Sequence, residues 1–114
     1  MDITTLAEGL VRITLAGRLD TQGVDRIETK FIAALVPGGK NAIVDLSQVE
    51  FVASMGIRML VATARSLKNR QARLALYGPQ ANVGEVFEAV SLQKIIPICA
   101  TEADAMAALE SLQA

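Results

Sequence analysis

The sequence predicts an α/β fold, a single layer of mostly parallel β-sheet with an antiparallel N-terminal strand and about four α-helices. Three observations lead there. Short apolar or alternating runs, suited to strands, are separated by longer segments whose apolar residues recur at helical spacing. Such alternation implies right-handed β-α-β crossovers, which leave the joined strands parallel. The length of 114 residues and the hydrophobic fraction of 52% suit one domain, residues 1–114, with a core that needs no disulfide.

Each element has its own signal. Ile3 and Leu6 suit a short first strand that turns at Glu8-Gly9, and Val11, Ile13 and Leu15 alternate with Arg12, Thr14 and Ala16 in a second. Gly17-Arg18-Leu19-Asp20 leaves that strand, and Asp20 or Thr21 can cap a helix carrying Val24, Ile27, Phe31, Ala34 and Leu35. Pro37-Gly38-Gly39 ends it. The run Ala42 to Leu46 reads as a central strand covered on both faces. Ser47 to Val52 reads as a loop tied down by Val49 and Phe51, followed by a helix with Ile57, Leu60, Val61, Ala64 and Leu67 inward and cations at Lys68 and Arg70. Arg73 to Tyr77 predicts a strand closed by Gly78-Pro79. A third helix over 82–90 turns Val83, Val86, Phe87 and Val90 inward, and Ile95 to Ile98 predicts a last strand. Thr101 caps a final helix with Glu102 and Asp104 in its first turn and Ala105, Leu109 and Leu112 on its apolar side. The loops beyond the carboxyl ends of the strands, 18–21, 48–55, 78–80 and 99–101, are where a site is expected.

Composition narrows the chemistry. Eleven Lys and Arg against twelve Asp and Glu, a net charge of -1, leave no basic excess for nucleic acid. With no histidine and one cysteine, an imidazole base, a structural disulfide and a tetrahedral Cys/His zinc site are all excluded. The start MDITTL has no positive n-region or apolar h-region, and no apolar stretch approaches the roughly 18 residues of a membrane span, so a cytoplasmic protein without direct membrane insertion is expected. No enzyme activity, catalytic residue, cofactor or metal is expected.

The segment Phe51 to Gly56 faintly echoes the nucleophile elbow of α/β hydrolases, but Val52 stands where that elbow has glycine, and there is no histidine to activate Ser54. Locally, Ser54 reads as the N-cap of the second helix, where a phosphate would be electrostatically favoured. Asp20 reads as a cap and Asp45 as a polar strand end. The segment Pro37-Gly38-Gly39-Lys40 lacks the residues of a phosphate loop. Cys99 reads as a packed thiol. Met55, Met59 and Ala62 form a second stripe on the second helix, offset from Ile57, Leu60 and Val61. It is either peripheral core or a docking face rimmed by Arg58 and Arg65.

The run Ile43-Val-Asp-Leu-Ser-Gln-Val-Glu-Phe-Val-Ala-Ser-Met-Gly-Ile-Arg-Met-Leu60 resembles the signature of the STAS domain of bacterial anti-sigma factor antagonists, and Gly17-Arg18-Leu19-Asp20 resembles the family's Gly-x-Leu-Asp corner. The resemblance implies a non-catalytic partner-switching protein. It would bind an anti-sigma factor that is also a GHKL-type serine kinase, be phosphorylated by it, be restored by a PP2C-type phosphatase, and so release a sigma factor. It implies partner binding through Asp20, Thr21, Ser54, Met55, Gly56, Arg58, Met59 and Ala62. The family acceptor is the Ser or Thr just before the glycine, commonly within Asp-Ser-Ser-Gly; here that position is Met55 and the acidic position is Ala53. Ser54 matches the first serine, which is not the usual acceptor, so the resemblance leaves open an antagonist that binds permanently and one switched by phosphorylation at Ser54 or another hydroxyl. A STAS subunit of a transporter or other signalling complex is the alternative.

Overall fold

In the computed structural model, which describes the backbone of residues 1–113 and the side chains of residues 1–111, five strands lie side by side in the order in which the chain makes them. They are β1 (Asp2–Ala7), β2 (Leu10–Leu19), β3 (Asn41–Val52), β4 (Leu74–Tyr77) and β5 (Ile98–Cys99). β1 is antiparallel to β2, and every later pairing is parallel. Helices α1 (Thr21–Leu35), α2 (Ser54–Lys68) and α3 (Ala81–Ala89) fill the crossovers, and α4 (Glu102–Gln113) follows β5. Crossovers of one hand between sequential neighbours place their helices on the same face of the sheet.

The strand residues divide accordingly. Ala42, Val44 and Leu46 of β3 join Leu74 and Leu76 of β4 in the large core that also holds Phe31 and Leu60. Alternate residues Ile43, Ala75 and Tyr77 point to the other face, where Ala105 and Leu109 of α4 complete a smaller core. α4 is held from outside that core by an ion pair between Arg12 and Glu102 at 2.7 Å. Burial beside Asp45 and Glu102 pushes the Tyr77 phenol up to about 12. Thr101 caps α4 as expected, its hydroxyl accepting from the Asp104 amide at 3.2 Å.

Three expectations need correction. β3 does not stop at Leu46 but runs to Val52, so the expected loop is strand. Val90 lies just past the end of α3 and is exposed, not inward. The stretch expected as a strand over 95–98 is mostly the exit from a 3-10 turn, Leu92–Lys94, and only Ile98 of it pairs with β4, together with Cys99. Pro97 has no N–H to give to a ladder and contributes only its carbonyl, which accepts from the Leu76 amide at 2.9 Å. Leu112 lies outside the residues whose side chains are described.

Candidate functional site

β2 and β3 continue past the end of β4. Pairing of β3 with β4 stops at Asp45–Tyr77, whereas β2 and β3 stay paired to Leu19–Val52. A two-stranded projection results at the carboxyl edge of the sheet. Its register shifts twice, between Thr14 and Ala16 and again between Gly17 and Arg18. The extra β3 residues at those shifts break the period of two, so Val49 and Val52 are buried while Glu50 and Phe51 are exposed. The free edge of β3 is answered by side chains: Gln80 donates to the Ser47 carbonyl at 3.0 Å and Asn82 to the Glu50 carbonyl at 2.7 Å.

Two helices start from the tip of this projection. Asp20 is the N-cap of α1, its carboxylate accepting from the Gly23 amide at 2.9 Å and from Arg18 Nε at 3.2 Å. The Gly23 bond first, and Arg18 after it, hold the Asp20 carboxyl below its ordinary range. A Cβ on Gly23 would collide with the Arg18 carbonyl oxygen, so the helix can approach the strand end only with glycine there. The Arg18 guanidinium also lies over the Phe51 ring, 4.2 Å from its centroid, across the β2–β3 pair.

α2 starts differently. Ala53 is its N-cap, without a side-chain bond, and there is no acidic residue in the first turn. Ser54 is therefore the first helical residue and not the cap that local sequence suggests. Ala53 instead ties the turn down by donating its amide to the Leu19 carbonyl at 3.0 Å. Gly56 is buried against the same residue: a Cβ there would stand 2.8 Å from the Leu19 oxygen and 2.9 Å from the Leu19 Cβ. Both helix N-termini thus converge on Leu19, and the positive pole of α2 has neither a side-chain cap nor an acidic residue in its first turn.

The expected partner-binding residues separate by exposure. Thr21, Ser54, Arg58 and Ala62 are exposed and Asp20 is half-exposed. Met55 is half-buried and packs against the large core. Met59 is buried, at 1% exposure, so the docking stripe Met55–Met59–Ala62 does not exist. The buried side of α2 is Gly56, Met59, Leu60, Thr63 and Leu67. Thr63 makes this possible by donating its hydroxyl to the Met59 carbonyl at 2.8 Å, so a polar side chain enters the core satisfied. Because α2 packs against both the sheet and α1, its buried arc is rotated toward Met59, and Ile57 and Val61 are only half-buried. The outward line is Ser54, Arg58, Ala62 and Arg65.

Sequence reasoning placed Arg18, Phe51 and Gln80 in segments where a site is expected but gave them no role, and it missed Asn82. Arg18 and Phe51 are register partners, a relation legible only once β3 is known to run past Leu46. Below the corner lies a shallow open hollow of about 270 Å3, walled by Arg18, Asp20, Gln22, Gly23 and Arg26. Burial pushes the Cys99 thiol up, away from the thiolate form. Among the described residues, no group of three or more His, Cys, Asp and Glu side chains is placed to hold a metal, and no helix is long and apolar enough to cross a membrane.

Residues 3–105 match the family model of the STAS domain. The chain belongs to the STAS domain family. It is 28% identical over 88 residues to an anti-sigma-B factor antagonist of Listeria monocytogenes, covering 77% of each chain. It superposes on the anti-sigma factor antagonist SpoIIAA in its unphosphorylated form with a TM-score of 0.79 at 25% identity, covering 96% of both chains. Against the phosphorylated form of Bacillus SpoIIAA the TM-score is 0.69 at 25% identity, over 92% of this chain and 95% of that one. A murine Solute Carrier 26 family anion transporter shares the fold, with a TM-score of 0.72 at 23% identity over 90% of this chain and 18% of the transporter.

Proposed function

We propose that residues 1–114 form one STAS domain that acts as a cytoplasmic anti-sigma factor antagonist: a non-catalytic protein that binds an anti-sigma factor of the GHKL serine-kinase type and so releases a sigma factor. The observation that carries this reading is the convergence of the Asp20 corner and the exposed Ser54–Arg58–Ala62 line on one edge, locked together through Gly56 and Leu19. Its similarity over most of the chain to antagonists in Listeria and to SpoIIAA supports the same role. Asp20, Thr21, Ser54, Arg58 and Ala62 meet the partner directly; Met55 and Gly56 shape the turn beneath them.

Met55 sets this domain apart in how it is switched. A thioether cannot accept phosphate, so the position that carries the acceptor in the family is permanently uncharged here, and the domain is competent to bind without a PP2C-type phosphatase. Phosphate brings about -1.5 to -2 charges, and Met55→Glu imitates part of that charge at the open pole of α2. Mixing the chain with its cognate kinase should give a complex on size-exclusion chromatography that Met55→Glu and Arg58→Glu weaken. Incubation with kinase and ATP, followed by peptide mass spectrometry, should leave the wild type unmodified and Met55→Ser phosphorylated. Stoichiometric phosphate on wild-type Ser54 would show that the acceptor has moved by one residue. The likeness to 18% of the transporter chain supplies a second reading, a STAS subunit of a membrane assembly. Purification of the native chain with a transporter and without a kinase would favour it.

A further inference from the structure

The other end of α2 carries a feature that the corner does not use. Two adjoining hollows, of about 240 and 300 Å3, share Ala64, Lys68 and Ile95 as walls. Arg65, Lys68, Arg73 and Lys94 line one or both, and no carboxylate side chain lines either. These cations come from three separate stretches: the last turns of α2, the residue before β4 and the 3-10 turn. None of the four is in an ion pair among the described residues, where the two pairs formed are Arg12–Glu102 and Arg18–Asp20.

Arg65 and Lys68 complement the negative pole at the end of α2. That role does not extend to Arg73, whose guanidinium donates to the Ala72 carbonyl at 3.0 Å, or to Lys94, which is exposed. In a chain whose net charge is -1, four cations around one cleft, none of them in an ion pair among the described residues, give it a local positive potential that favours an anionic partner. At the junction of the hollows Ile95 keeps 50% of its surface exposed. An apolar centre ringed by charge is the anatomy of a protein interface, with a desolvated core and a polar rim.

We infer that this cleft docks an acidic, extended peptide segment of a partner protein, seating an apolar side chain on Ile95 with carboxylates toward Arg65, Lys68, Arg73 and Lys94. Charge complementarity sets the sign of the partner. The hollows carry no aromatic side chain on which a nucleic-acid base could stack. The shared walls Ala64 and Lys68 lie about 15 and 21 Å along the helix from Ser54, at about 1.5 Å per residue, so the cleft begins just past Ala62, where the exposed line of the corner ends.

The test is a nuclear magnetic resonance titration of the full chain with a synthetic peptide of glutamates flanking one central leucine. Saturable amide shifts are expected at Ala64, Lys68, Arg73 and Ile95. Affinity should fall about tenfold in the double variant Lys68→Gln, Lys94→Glu, and severalfold in Ile95→Ser, with the thermal midpoint preserved. A peptide with serine in place of the leucine, and one with glutamine in place of every glutamate, should both bind more weakly. The inference is overturned if shifts fall elsewhere, if the variants bind as the wild type does, or if either control peptide binds equally well. It is equally overturned if inorganic phosphate, single-stranded DNA or phosphatidylglycerol vesicles engage the same residues more tightly than the acidic peptide.

Discussion

Helices α1 and α2 begin beside the same residue, Leu19, yet their first turns are built in opposite ways. At α1 the chain answers the helix pole itself: Asp20 caps it, Arg18 steadies Asp20, and Gly23 lets the turn close against the strand. At α2 the pole is open, with Ala53 as a silent cap, no acid in the first turn and Ser54 exposed. α1 starts from a capped, closed turn, and α2 starts from a terminus whose electrostatics a nearby charge can change.

The most severe way to break this division is from below α2. Met59→Asp would put an unpaired charge into a site only 1% exposed and should leave the chain unfolded by circular dichroism, whereas Met59→Ala should cost about 2–5 kcal/mol in urea unfolding. Retention of a stable fold in Met59→Asp would place Met59 on the surface and revive the docking stripe. Next in size, Gly56→Ala must push Leu19 away from both helix starts, at a cost of about 1–3 kcal/mol for forced overpacking. Because the displaced residue is shared, partner binding should fall more than stability does.

Asp20→Ala sharpens the contrast through pH. The Asp20 carboxyl titrates below its unfolded value, so its contribution is complete above that value, near pH 4, and is lost as pH falls through the lower folded value. The variant should therefore melt below the wild type at pH 7, and the two melting curves should converge as pH drops below about 4. A gap that stayed constant down to acid pH would mean that the carboxylate charge has no part in the cap. The smallest effect is expected at the open terminus. Ser54→Ala removes no cap bond and should move stability by less than about 0.5 kcal/mol in thermal unfolding.

Most of the fold was legible because its strands and helices have strong periods. Val11, Ile13 and Leu15 alternate cleanly, and Val24, Phe31 and Leu35 mark one face of α1. The misreadings cluster where the period itself is disturbed. Register shifts opposite Thr14 and Gly17 give the outer half of β3 an irregular burial pattern, which looks like a loop in a one-dimensional pattern. On α2, Gly56 and Thr63 are buried although neither is strongly apolar, so a stripe drawn through the obvious hydrophobes sits too far toward Ile57 and Val61. The site was legible in part: Asp20 and Ser54 belong to one edge, but Arg18 over Phe51 depends on a pairing that spans the crossover helix.

The sequence by itself determined the order and kind of the elements, the mostly parallel sheet, and the absence of histidine chemistry, since these follow from local patterns and composition. Tertiary structure alone decided which side of α2 faces out, that Met59 is core, and that a single residue, Leu19, joins both helix starts. Those outcomes depend on how closely one element can approach another. Close approach is set by pairs of residues far apart in the chain, a glycine here and a strand-end carbonyl there, and a local pattern carries no record of such pairs.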